Sequence, residues 1–175
     1  YAPDIVKIVY KDQKGQVRKE FLAGERIVSY NYDNAGSLIQ RIDGKNQAVD
    51  YEVDYQGRVV KETRKINGQD ITLRNQYDSL GNKRFSWDAA GKMTEYQYDA
   101  AGRLIKTIAP FDGRNQVLAY YYDAAGNVIK EKKANNSGWQ ETGYVYDTLS
   151  RLTDTYQYLS SADWIRTSYQ YDVMD

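Results

Sequence analysis

Tyr98-Asp99-Ala100-Ala101-Gly102-Arg103-Leu104 is the clearest copy of a pattern that returns at least seven times in this chain. The unit is an aromatic residue, an Asp, two free positions, a Gly, then often a basic and an aliphatic residue. Similar copies are Tyr32-Asp33…Gly36-Ser37-Leu38, Tyr77-Asp78…Gly81 and Tyr122-Asp123…Gly126-Asn127-Val128. Weaker ones are Val53-Asp54…Gly57-Arg58-Val59 and Tyr146-Asp147…Ser150-Arg151-Leu152, with a decayed copy at Asp12…Gly15-Gln16-Val17. A fixed internal period is the signature of a repeat architecture, whose properties belong to the array as a whole.

The period is short. Taking one Asp per unit gives positions 12, 33, 54, 78, 99, 123, 147 and 172, at intervals of 21, 21, 24, 21, 24, 24 and 25. Within each interval apolar and polar residues alternate, as in Tyr30-Asn31-Tyr32, Tyr96-Gln97-Tyr98 and Tyr169-Gln170-Tyr171. Alternation of period two marks a β-strand with one ring-bearing face. Midway lies a second turn signal: Asp43-Gly44-Lys45-Asn46, Asn67-Gly68, Asp112-Gly113 or Asn135-Asn136-Ser137-Gly138. One interval reuses the main pattern there, at Trp87-Asp88-Ala89-Ala90-Gly91.

Each unit is therefore two strands and two turns. The expected fold is all-β: a repetitive antiparallel hairpin ladder of about 15 strands and no helix. At the spacing of paired strands such a sheet would be about 70 Å wide. Open sheets rarely exceed about 10 strands without curling or splitting, so a curved or spiralling sheet is expected.

The Asp and Gly have a physical task in this scheme. Asp suits the first position of a type I turn, where its carboxylate accepts from backbone amides just ahead. Gly three residues later can take positive φ, which produces a three-residue hairpin loop with a G1 bulge. The expected structural turn residues are Asp33, Gly36, Asp54, Gly57, Asp78, Gly81, Asp88, Gly91, Asp99, Gly102, Asp123, Gly126 and Asp147. In that geometry Tyr98 lies opposite Leu104, and such aromatic–aliphatic pairs pin the register. Asn or Asp would be tolerated at the Gly position; Ser150 is the least comfortable substitute.

Composition agrees. Lys+Arg 24 balance Asp+Glu 24, which gives no argument for nucleic acid or an anionic membrane. The chain has 18 Tyr against 3 Phe, and a mean hydropathy of -0.79. Tyr has an apolar ring and a wet tip, which suits a sheet with partly hydrated faces. With 0 Cys there is no disulfide framework and no thiolate metal site. No apolar run is long enough for a membrane span. The start, Tyr1-Ala2-Pro3-Asp4, has neither an initiator Met nor a signal-peptide layout, and both ends interrupt a unit. One array over 1–175, about seven to eight units cut from something larger, is the expected organisation.

The Tyr-Asp…Gly-Arg-Leu unit, with Tyr-x-Tyr upstream, resembles the YD repeat, also called the Rhs (rearrangement hotspot) repeat. The resemblance runs from about Asp12 to Asp172. It implies a β-sheet strip that spirals into a hollow shell. In bacterial members, among them polymorphic toxins and the C component of insecticidal toxin complexes, the shell encloses a C-terminal toxin; teneurins carry related repeats. By this resemblance the chain is a non-enzymatic wall segment of a secreted or cell-surface protein. Its partners would be the remaining repeats and the toxin cargo of the parent chain. Two departures stand out. Family shells use many more repeats than this chain holds. The bacterial self-cleavage motif is also missing, since only Pro3 and Pro110 occur and neither sits in such a setting.

The residues themselves leave other readings open. Without His or Cys the usual nucleophile–base pairs are lacking. Paired carboxylates could still serve in glycoside hydrolysis, but nearly every Asp falls at a turn start. One Asp per turn also fits no calcium loop; no enzyme, cofactor or metal is expected. The runs Lys130-Glu131-Lys132-Lys133 and Arg64-Lys65 read as a solvated face with cross-strand pairing. The main alternative is a carbohydrate or cell-wall binding module that stacks sugars on Trp87, Trp139 and Trp164, making glycans the partner. A third is an adhesion scaffold without cargo. Unpaired terminal strands would invite strand-edge self-association.

Overall fold

The computed structural model describes residues 6–135, 138–159 and 163–172. Fifteen strands are hydrogen-bonded in sequence order as one antiparallel sheet. They are β1 (Lys7–Lys11), β2 (Val17–Leu22), β3 (Glu25–Tyr32), β4 (Leu38–Asp43), β5 (Ala48–Val53), β6 (Val59–Ile66), β7 (Gln69–Tyr77) and β8 (Lys83–Trp87). Then follow β9 (Met93–Tyr98), β10 (Leu104–Phe111), β11 (Arg114–Tyr122), β12 (Val128–Asn135), β13 (Gly138–Tyr146), β14 (Leu152–Tyr158) and β15 (Trp164–Ser168). Among the described residues there is no helix, and so none long and apolar enough to cross a membrane. The fold is the all-β hairpin ladder expected from the repeat, and the strands run from 5 to 9 residues.

The chain separates into two units, Tyr1–Gln76 with Ser86–Gly91 and Tyr77–Phe85 with Lys92–Asp175. In the first unit, cross-strand partners place Tyr30, Tyr32, Leu38, Val49, Tyr51 and Val59 on one face. The opposite face carries a polar ladder across β3, β4 and β5: Asn31 Nδ2 donates to Gln40 Oε1 at 2.7 Å, and Gln40 Nε2 to Asp50 Oδ1 at 2.7 Å. In the second unit, Tyr98, Leu104, Tyr122, Val128, Tyr146 and Leu152 share one face. On its other face Lys132 pairs with Glu141 at 2.6 Å. The run at Lys130–Lys133 is thus a solvated, paired strand, and Lys65 lies 3.9 Å from Asp70 in the same manner.

Burial is shallow. Val28 is the one buried apolar residue among those described, at 5 % exposure. Stability must therefore come from ladder hydrogen bonds and from cross-strand pairs, each contributing about 0.2–1 kcal/mol.

Two kinds of bend join the strands. Two-residue loops at Ala23-Gly24, Asn67-Gly68 and Asp112-Gly113 have positive φ at both positions, the I′ geometry that matches strand twist. Ala23-Gly24 carried no Asn or Asp and was missed by sequence reasoning, because alanine rarely adopts φ 50°. Of the Asn135–Gly138 turn, Asn136 and Ser137 lie outside the described residues.

Asp-led turns form the second kind, and six of them carry a register slip beyond the bulge expected at the glycine. Tyr98 faces Leu104 but Gln97 faces Lys106, so Ile105 has no partner. The same slip skips Arg18, Ile39, Val60, Ile129 and Thr153. A one-residue bulge after the turn bends the strand and sharpens its twist.

Candidate functional site

The turn cassette is the recurrent element of this molecule, and it is built from the Asp outward. At Asp99 the main-chain amide donates to Arg103 O at 3.0 Å, and Gly102 N donates back to Asp99 O at 3.0 Å. Asp99 Oδ1 accepts the amides of Ala101 and Arg103 at 3.0 and 2.9 Å. Its Oδ2 accepts Arg103 Nε at 2.7 Å. One carboxylate thus receives two amides and a guanidinium, the charge-assisted arrangement. The Gly102 backbone has φ 77°.

Asp54 and Asp147 repeat the set with Arg58 and Arg151, at 2.7 and 2.8 Å from Nε to Oδ2. Asp78 and Asp123 substitute Asn82 and Asn127, whose side-chain amides reach Oδ2 at 3.2 and 3.0 Å. Asp33 accepts the Ser37 amide at 2.8 Å. Asp12 is served by Arg18 Nε at 2.8 Å, from the skipped position two residues later. On the opposite margin Asp88 accepts the Ala90 amide at 2.9 Å, and Gly91 N donates to Asp88 O at 2.9 Å. Positive φ is found at Gly36, Gly57, Gly81, Gly91 and Gly126 as well. Two cassettes replace the glycine. Asn46 takes φ 63° after Asp43, and Ser150 takes φ 60° after Asp147. The Ser150 turn keeps both main-chain bonds, at 2.9 and 3.0 Å.

These contacts set the electrostatics. The Arg103 backbone amide, then its guanidinium, holds the Asp99 carboxyl below the usual carboxylate value. Asp147 is lowered in the same way, chiefly by the Arg151 amide. Asp123 is lowered first by the side-chain amide of Asn127. At Asp54 partial burial pulls upward, and the hydrogen bonds from Arg58 outweigh it. All of these acids are spent on turns. Among the described residues no three His, Cys, Asp or Glu gather as a metal site.

Cassettes are also tied to one another, and sequence reasoning missed this. The guanidinium of Arg103 lies 4.7 Å from the ring centre of Tyr122, in the next cassette, and Tyr122 Oη donates to Leu104 O at 2.6 Å. Arg103 Nη1 also donates to Asp123 O at 3.1 Å. Arg18 covers Tyr32 at 4.8 Å while Tyr32 Oη donates to Val17 O at 3.1 Å. Arg151 covers Tyr171 at 4.7 Å while Tyr171 Oη donates to Leu152 O at 2.8 Å. Tyr146 Oη reaches Val128 O at 2.9 Å.

Tyr32, Tyr122, Tyr146 and Tyr171, each standing just before a repeat Asp, therefore lock their cassettes to the preceding ones. A partly exposed cation–π contact adds about 0.5–1 kcal/mol and a net hydrogen bond about 1 kcal/mol. The only trace of this in the sequence is the joint recurrence of Tyr-Asp and the basic residue after Gly.

The three tryptophans are not brought together. Trp87 is half-buried at the end of β8, whereas Trp139 and Trp164 are 56 % and 51 % exposed. Trp164 meets Tyr156 edge-on, ring centres 5.3 Å apart at 60°.

The RHS Repeat family model matches residues 77–114 and 98–137. The cassette geometry described above extends beyond that stretch, from Asp12 to Arg151. No curated protein sequence matches the chain significantly. Among solved structures, a TcdB2-TccC3-Cdc42 crystal structure superposes with TM-score 0.75 and 21% identity over 93% of this chain and 10% of that one. A Photorhabdus luminescens Tc holotoxin pore gives 0.74 and 21% over 87% and 9%. A TcdB2-TccC3-TEV structure gives 0.72 and 16% over 95% and 11%. The chain thus spans about a tenth of the length of the structures it matches, and at these identities the likeness establishes the fold.

Proposed function

We propose that this chain of RHS repeats is a non-enzymatic wall segment of a larger repeat shell, in a secreted or cell-surface protein that encloses a C-terminal toxin. The observation that carries the proposal is the tie between cassettes. Among the described residues, the Tyr–carbonyl and Arg–Tyr ties between cassettes described above each link a cassette to its neighbour. An array held by nearest-neighbour contacts grows by adding units and gathers no core of its own. With Val28 as the lone buried apolar side chain among the described residues, the sheet suits a wall better than a globule. Solved structures of similar fold include a Tc holotoxin pore and TcdB2-TccC3 assemblies, which favours the toxin-shell version. In this reading 1–175 is one array, its partners are further repeats and the enclosed segment, and its free sheet edges accept additional strands.

Limited proteolysis of the gene product containing this chain tests the proposal. A C-terminal segment protected while the repeats are intact, and cleaved once Gly102→Val and Tyr122→Phe weaken the wall, is the expected result. Equal cleavage in both proteins refutes enclosure and leaves the adhesion scaffold. Carbohydrate binding is a second reading, favoured by the exposure of Trp139 and Trp164.

A further inference from the structure

Glu20, Glu62 and Glu131 stand at one place in the repeat, each eight residues after its Asp (Asp12, Asp54 and Asp123). Cross-strand pairing puts each on the ring-bearing face of its own unit. Glu20 faces Val9 and Val28, Glu62 faces Tyr51 and Leu73, and Glu131 faces Tyr120 and Thr142.

The negative charge is answered differently at the three. Lys7 Nζ lies 2.8 Å from Glu20 Oε2. At the second, the positive charge of Arg41 acts on the same Tyr51 that Glu62 faces. At Glu131 no basic side chain of the protein takes part. Among the described residues its carboxylate has no ion pair, and its one side-chain bond comes from Tyr144 Oη at 3.4 Å. Lys130 and Lys132, beside it on β12, turn to the opposite face and share Glu141 at 3.8 and 2.6 Å. Lys133 is on the ring face but is exposed and faces Leu118 and Gln140. Burial first, and then the Glu131 charge, raises Tyr120 and Tyr144 above 10.0, and no basic group pulls either back.

Glu131, Tyr120 and Tyr144 are all half-buried. A carboxylate partly withdrawn from water attracts a cation more strongly than one in bulk solvent, and tyrosine rings add their own attraction. Elsewhere this protein fills the same combination with its own arginines. Arg103 bonds Asp99 at 2.7 Å and lies 4.7 Å from the Tyr122 ring centre. Arg18 joins Asp12 to Tyr32, and Arg151 joins Asp147 to Tyr171, in the same way.

We propose that Glu131, Tyr120 and Tyr144 form a seat for one lysine or arginine side chain of a polypeptide partner that lies on the ring face. The ammonium or guanidinium pairs with the Glu131 carboxylate while its stem crosses the two rings, as Lys7 pairs with Glu20 within the chain. The seat is formed within β11–β13 and stands whether or not the sheet encloses anything.

The test titrates the intact chain by calorimetry with capped tetralysine and tetraarginine peptides, and with capped tetraglutamine and spermine as comparisons. Saturable binding of at least one basic peptide is expected, weaker by about fivefold to tenfold in Glu131→Gln, the scale of one partly exposed ion pair with its ring contact. Glu95→Gln removes the same charge from the opposite face and keeps the affinity of the parent. Thr142→Lys places an ammonium directly opposite Glu131, fills the seat from within and weakens binding as much; it serves if circular dichroism shows Glu131→Gln unfolded. Coupling by a carbodiimide, which joins a carboxylate to a touching amine, should link tetralysine at Glu131. Silence with both basic peptides overturns the proposal. So does an equal loss in Glu95→Gln, equal binding of tetraglutamine, or spermine binding more tightly than either peptide.

Discussion

Replacing Gly102 isolates the energy of the left-handed turn from every other contribution. The residue has φ 77°, and the nearest atom to an added Cβ, outside its chain neighbours, is Asn82 Oδ1 at 3.8 Å. Space is therefore available, and any loss comes from the backbone. Forcing an L-residue into this region costs about 1–2 kcal/mol. Gly102→Ala should lose about 1 kcal/mol, and Gly102→Val somewhat more because β-branching crowds the carbonyl. Gly102→Asn should fall below either, since Asn visits this region several-fold more often.

Ser150 supplies the reverse experiment. It occupies the same position at φ 60° with the same main-chain bonds, so Ser150→Gly releases the strain. The gain is offset by losing the exposed 3.1 Å bond from Asn127 Nδ2 to Ser150 Oγ, so a net stabilisation of about 0.5–1 kcal/mol remains. Urea titration followed by circular dichroism measures the series. A chain this long should shift in Tm by about 2–4 °C per kcal/mol if it unfolds as one unit. The ordering Val below Ala below Asn below Gly, with Ser150→Gly above the parent, is the signature of turn strain. Indistinguishable Val and Asn variants, or a destabilised Ser150→Gly, would refute it.

Other outcomes follow from the same structure. Gly44→Ala should cost about 1–3 kcal/mol for a different reason: its Cβ would sit 2.7 Å from Arg26 O, a main-chain atom that cannot swing aside. Tyr122→Phe removes the 2.6 Å bond to Leu104 O and should cost about 1 kcal/mol, seen also as faster amide exchange in β10. Tyr121→Phe, on an exposed ring, should stay within about 0.5 kcal/mol of the parent. Stability should fall on both pH flanks. Asp99, Asp123 and Asp147 lie below their ordinary 3.8 in the fold, so their contribution is complete above that value and is lost as pH drops through the folded values. Asp99→Asn should flatten the acid limb of a denaturation-versus-pH curve. Burial, foremost, raises Tyr51, Tyr120 and Tyr144 above 10.0. Their contribution is present below that value and lost as pH rises through the raised ones, which phenolate absorbance tracks.

The strands and most turns were legible in the chain itself, because the Asp-to-Gly spacing and the Tyr-x-Tyr alternation are local and recur at a fixed period. The Ala23-Gly24 loop was not, since nothing in its composition announces positive φ. The glycine bulge follows from the turn itself; the second slip has its own trace in the sequence. Leu38-Ile39, Val59-Val60, Leu104-Ile105 and Val128-Ile129 each break the alternation with two adjacent aliphatics, the second of which has no cross-strand partner. For the ring cluster on β14 and β15 the sequence offered Trp164 alone. Its association with Tyr156 and Tyr158 required the pairing of two strands.

Local chemistry thus determined that this protein would be a ladder of hairpins: an Asp carboxylate closes on amides two and four residues ahead whatever the rest of the molecule does. Only the folded sheet decided which tyrosine meets which carbonyl, which guanidinium lies on which ring, and which rings stay uncovered. The tyrosine–carbonyl partners stand 15 to 19 residues apart, as Tyr32 with Val17 and Tyr171 with Leu152. Contacts of that range depend on register, and a one-residue bulge resets the register in each of the six cassettes where it occurs.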